Sequence, residues 1–111
     1  MNYNERKFNT DIASVCGLRE AVIAGFIRDL QMVRDETKYR HGYLWVRCTQ
    51  KMMTVHMPFL TEDMVRHSVG KLVEKGIIKV ATLSEDKFDH TYWYTFTAYG
   101  DELLADSRCL G

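Results

Sequence analysis

The stretch PFLTEDMVRHSVGKLVEKGIIKV (58–80) defines a helix at both ends and so constrains everything around it. Pro58 closes whatever helix precedes it, and the Thr61 hydroxyl can accept from the backbone N–H of Asp63 or Met64. Glu62 and Asp63 stand at the positive end of the helix dipole, and Leu60 is placed to staple onto Val65. Gly76 supplies the left-handed residue that ends helices, and Ile77 or Ile78 can fold back on the last turn. Helical spacing puts Val65, Ser68, Val69, Leu72 and Val73 on one face, with Met64 at its edge. Asp63, Arg66, His67, Gly70, Lys71 and Glu74 fall on the other.

The flanking segments build outward from this helix. Segment 18–34 carries Leu18, Val22, Ile23, Phe26, Ile27, Leu30 and Val33 at helical spacing behind a turn at Gly17, which predicts a core helix. Asn9, Thr10 and Asp11 are alternative caps for a short helix over about 12–16. The polar run DETKYRHG (35–42) reads as a loop, and YLWVRC (43–48) alternates as a short strand does. Thr49 caps a short helix that ends before Pro58, with Met52, Met53, Met57 and Met64 expected to fill the core around it. IIKVATL (77–83) and TYWYTFTA (91–98) read as a hairpin with SEDKFDH (84–90) at its tip. Leu103 and Leu104 mark a short terminal amphipathic helix.

With 111 residues, the chain suffices for one domain, with a core over about 8–104. No apolar run approaches the roughly 18 residues of a membrane span, and MNYNERKFNTD has no apolar block behind its charges, so a cytoplasmic protein without a signal peptide is expected. Cys16, Cys48 and Cys109 are too scattered for a metal clip and read as reduced thiols, mostly buried. Histidines 41, 56, 67 and 90 lack zinc-site spacing, the glycines form no phosphate loop, and Cys48 has no identifiable base. These readings predict no metal, no cofactor and no enzyme.

The expected order is short helix, helix, strand, helix, helix, strand, strand, helix. That is the order of an α+β, mostly helical winged helix-turn-helix with a small three-stranded antiparallel sheet. The segments GLREAVIAGFIRDL, GYLWVRCTQKMM, PFLTEDMVRHSVGKLVEKGIIKV and KFDHTYWYTFTAYG resemble the winged-helix domains of replication initiator and replisome-organiser proteins of phages and mobile elements of Gram-positive bacteria. The Pro-Phe before the helix cap and the Lys-Phe-Asp-x-Thr-x-Trp-Tyr run carry the resemblance. It implies double-stranded DNA binding in replication initiation or transcriptional control, with 61–75 in the major groove and 84–90 near the backbone. Many members carry a further C-terminal assembly domain; none is expected within these residues.

Arg66 has two readings: a guanidinium that reaches two acceptors on guanine, or a solvated arginine paired with Glu62 or Asp63. His67 is either a contact or a surface histidine, and Lys71 suits phosphate better than a base. Thr49 and Lys51 occupy the place where a helix-turn-helix crosses the backbone, with Thr61 in support. Lys87 and His90 are the tip's candidates, although Glu85, Asp86 and Asp89 surround them. Tyr92, Trp93, Tyr94 and Phe96 could stack bases, but alternation favours burial of most of them.

Fifteen basic residues balance fifteen acidic ones, so no global field draws in nucleic acid. Four phosphate contacts by Arg66, Lys71, Lys51 and Lys87 give a salt slope of only about −3.6. Weak monomeric binding is therefore expected, with a homodimer or a replication or transcription protein as partner. The competing reading is a protein interaction module of a replisome that does not read DNA.

Overall fold

The structure, a computed structural model, describes residues 9–34 and 36–106. Five helices and four strands follow in the order α1 (Thr10–Val15), α2 (Leu18–Val33), β1 (Thr37–Arg40), β2 (Tyr43–Arg47), α3 (Gln50–His56), α4 (Glu62–Glu74), β3 (Ile78–Ala81), β4 (Trp93–Phe96) and α5 (Ala98–Asp106). The fold is α+β and about half helical.

The helix ends follow their capping chemistry. Of the three possible caps for α1, Asn9 is the one used: its Oδ1 accepts from the Ile12 N–H at 2.8 Å. Thr49 accepts from Met52 N–H at 2.9 Å and Thr61 from Met64 N–H at 3.1 Å. At the far end of α4, Gly76 adopts a left-handed φ of 73° and donates to Val73 O, while Ile77 N–H returns to Leu72 O. This closure buries Ile77 and launches β3 directly from the helix.

The sheet departs from the expected three strands. It is antiparallel, with four strands in the order β1-β2-β4-β3, and the extra strand is Thr37–Arg40, within the segment expected to be a loop. The reason is local. His41 (φ 55°) and Gly42 (φ 83°) are both left-handed, which makes the two-residue turn whose twist suits a hairpin. Arg40 then pairs with Tyr43, and the register runs out to Thr37 with Val46. β3 and β4 are shorter than their apolar runs, and Thr82–Tyr92 forms the loop between them.

One face of the sheet packs against α2 and α4. Val46, Tyr94, Phe96 and Ile78 from the strands meet Ile23, Phe26 and Ile27 of α2 and Val65, Val69 and Leu72 of α4 in one core. α3 adds Met53, and Met57 and Leu60 in the turn after it are also buried. Four expected core residues lie outside: Leu18 and Val33 at the ends of α2, Met52 on α3 and Val73 on α4 are exposed. The first two are the terminal residues of α2, and Val73 borders a cleft. Gly100 is required in α5, because a Cβ there would collide with the Ile77 carbonyl oxygen.

Candidate functional site

α3 and α4 pack together through a turn in which Leu60 N–H bonds to Met57 O at 2.9 Å. Leu60 is buried, and the turn leaves the start of α3 and one flank of α4 facing the strand that returns from the Thr82–Tyr92 loop. Two adjoining clefts result. One, of about 250 Å³, is bordered by Thr49, Lys51, Glu62 and His90. The other, of about 430 Å³, lies between Arg66, Val69, Gly70 and Val73 of α4 and Val80, Tyr92 and Tyr94 of the sheet. Gln50 and Tyr92 border both.

The clefts bring together Thr49, Lys51, Arg66 and His90, four of the eight candidate residues. Val73 explains its own exposure here, since it forms part of the apolar wall of the larger cleft. Arg66 is ion-paired with Asp63, Nη1 to Oδ1 at 2.9 Å, with both side chains largely in solvent. Such an exposed pair contributes less than about 1 kcal/mol, so Arg66 can exchange Asp63 for another acceptor at little cost. His67 is exposed on the outer face of α4 and Thr61 is engaged as its cap. Lys87 is exposed in the loop, its ammonium 5.3 Å from the Phe88 ring centroid.

Lys71 goes elsewhere. Its Nζ lies 3.4 Å from Oε1 of Glu20, a carboxylate on α2 whose side chain is only 4% exposed. Ser68 of α4 donates to the other oxygen of that carboxylate, and Arg19 Nε donates to Ser68 Oγ at 2.8 Å. Burial pushes the Glu20 carboxyl up, but the Ser68 hydrogen bond and the Lys71 charge outweigh it and hold the group below its ordinary value. Lys71 therefore sits on the α2 side of α4, away from Arg66.

The loop is tied down by its acids. Asp89 accepts from the Thr91 backbone N–H at 3.0 Å and from Arg47 Nη2 at 3.4 Å. These bonds, with that from Thr91 first, hold its carboxyl at about 2. Asp86 likewise accepts from Phe88 N–H at 2.9 Å. Glu85 and the exposed Asp86 give the loop tip an acidic bias beside Lys87.

Cys16 and Cys48 are buried free thiols, and burial pushes Cys48 up to about 12, which removes it as a nucleophile near neutral pH. Cys109 lies outside the described residues. Among the described residues no cluster of His, Cys, Asp or Glu is arranged to hold a metal, and no helix is long and apolar enough to cross a membrane. Sequence reasoning missed Gln50 and the cleft-facing role of Tyr92, because neither stands out until α3 is brought against the returning strand. No protein-family model, curated protein or solved structure matches this chain.

Proposed function

We propose that this chain is a winged helix-turn-helix that binds double-stranded DNA with sequence preference, in replication initiation or transcriptional control of a mobile element. The observation that carries the reading is the meeting of Thr49, Lys51, Arg66 and His90 along the two clefts where α3, α4 and the returning strand converge. In this reading α4 enters the major groove, and Arg66 leaves Asp63 for guanine acceptors. Thr49, Gln50 and Lys51 lie at the start of α3, where a backbone phosphate can accept from their side chains. The Thr82–Tyr92 loop is the wing, with Lys87 and His90 facing the backbone.

Lys71 is a positioning residue in this scheme, holding α4 on α2 through Glu20. That leaves Lys51, Arg66 and Lys87 as phosphate-capable cations, and three contacts correspond to a salt slope of about −2.7 per monomer. Affinity of that kind calls for a homodimer or a second DNA-bound chain. Selection of bound sequences from random duplex DNA tests the proposal. A recovered common sequence supports it, and a pool that stays random contradicts sequence reading.

A second reading, a protein interaction module of a replisome or transcription complex, rests on the charge around the same clefts. Glu62, Asp63 and Glu74 on α4 and Glu85 and Asp86 on the loop interrupt any continuous positive surface. The apolar cleft walls formed by Val69, Val73 and Val80 would suit a partner side chain.

A further inference from the structure

The sheet has a second face, turned away from α2 and α4. Because paired residues in an antiparallel ladder point to the same side, the register defines this face completely. Lys38 pairs with Trp45, Arg40 with Tyr43, Arg47 with Trp93 and Lys79 with Thr95. All four cations of the strands therefore share the outer face with Tyr43, Trp45 and Trp93. The four strands contain no Asp or Glu at all.

The cations lie on the rings. Lys38 Nζ stands 5.4 Å from the Trp93 ring centroid, and Lys79 Nζ stands 4.4 Å from that of Tyr43 while donating to its hydroxyl at 3.1 Å. Tyr43 and Trp45 meet edge to face at 6.3 Å. Arg47 is neutralised by Asp89 at 3.4 Å and approached by Glu36 at 4.0 Å. The Arg40 guanidinium has no partner among the described residues, which leaves Lys38, Arg40 and Lys79 as uncompensated charges. Trp93 adds a further sign of an incomplete surface. Its residue is 7% exposed, yet its indole N–H is buried without a hydrogen-bond partner, whereas that of Trp45 donates to Arg40 O at 3.1 Å.

We propose that this outer sheet face binds single-stranded nucleic acid. Uncompensated cations interleaved with aromatic rings are the chemistry that such a ligand recognises: phosphates pair with the cations, and bases stack on the half-buried Tyr43 and, once the lysines move aside, on Trp45 and Trp93, each 7% exposed. Lys38 and Lys79 now occupy ring faces through cation–π contacts. A base replaces each ammonium on its ring, and the freed lysine swings to the adjoining phosphate, so one exchange satisfies both groups. The site is separate from the clefts at α3 and α4 and does not depend on duplex binding there. A chain with both sites would hold a duplex on one side and a melted strand on the other.

The two tryptophans of the chain, Trp45 and Trp93, both lie on this face, so their fluorescence reports it and not α4. The test is titration of the full chain with an oligodeoxythymidylate, and separately with a duplex, at several salt concentrations. The single strand is expected to quench the fluorescence, with a salt slope of about −2.1 for three contacts. Lys38→Glu/Arg40→Glu/Lys79→Glu is expected to weaken this binding at least tenfold with an unchanged circular dichroism spectrum. Arg40→Glu alone, which breaks no side-chain hydrogen bond or ion pair among the described residues, is expected to weaken it about threefold should the triple variant fail to fold. Arg66→Ala is expected to leave it unchanged. Absence of quenching, equal affinity in the folded charge-reversal variants, or equal quenching by duplex and single strand would overturn the proposal.

Discussion

Lys71 reaches back from α4 to Glu20 on α2, its Nζ 3.4 Å from Oε1 across 51 positions of sequence. The contact joins the proposed recognition helix to the helix that carries much of the core, and Ser68 and Arg19 complete it. The buried carboxylate makes it a determinant of where α4 stands.

Removing that carboxylate should cost stability. Charged hydrogen bonds of this kind contribute about 1.5–3 kcal/mol, so Glu20→Ala is expected to lower the unfolding free energy by about 2 kcal/mol in urea denaturation. The pH dependence has a definite sign. Glu20 is held below its ordinary value of 4.5, so its contribution is complete above that pH and is lost as pH falls through the folded value. The stability gap between wild type and Glu20→Gln should therefore narrow on acidification; a constant gap down to pH about 3 would contradict the assignment.

Gly100 should not tolerate a side chain. Its missing Cβ makes room for the Ile77 carbonyl, backbone that is fixed by the closure of α4 and by Thr97 N–H at 3.0 Å. Overpacking of this kind costs about 1–3 kcal/mol, so Gly100→Ala is expected to melt roughly 4–8 °C or more below wild type. An unchanged melting temperature would show that α5 shifts freely.

Cys48 should be inert in the folded chain. With its thiol pushed up to about 12 and buried, alkylation by iodoacetamide at pH about 8 is expected to occur only after denaturation, as followed by peptide mass mapping. Rapid labelling of the native protein would contradict the burial of β2's end.

Asp89 anchors the Thr82–Tyr92 loop. Asp89→Asn weakens its hold on Thr91 N–H and on Arg47. Hydrogen exchange at the Thr91 amide is expected to accelerate severalfold, while amides of α2 stay protected. Unchanged exchange at Thr91 would mean that the loop is held by other contacts.

Much of this architecture was legible in the sequence where local chemistry decides. Thr49, Thr61 and Gly76 mark helix ends because caps act over three or four residues, and Ile23, Ile27, Val65 and Leu72 mark cores because spacing alone selects a face. β1 was hidden because TKYR carries no apolar alternation and because His-Gly is a weaker turn signal than Asn-Gly, although both its residues take left-handed backbone. Lys71 read as an outward residue because the helical wheel of α4 does not reveal which flank α2 covers. The shared face of Lys38, Arg40, Arg47 and Lys79 was equally invisible: it depends on strand register, which no segment states by itself. The segment patterns supplied the order of the elements, and the resemblance the expectation that 61–75 and 84–90 face DNA; only packing could say which of the eight candidates meet.

The proposed binding of duplex DNA at the α3–α4 clefts turns on Arg66. Titration of labelled duplex carrying a selected sequence, with wild type and Arg66→Ala at two salt concentrations, tests it most directly. The variant is expected to lose about 1–3 kcal/mol of affinity on that sequence, with binding of both proteins falling as salt rises. Equal affinity of the two proteins, or no binding by wild type at low salt, would contradict it.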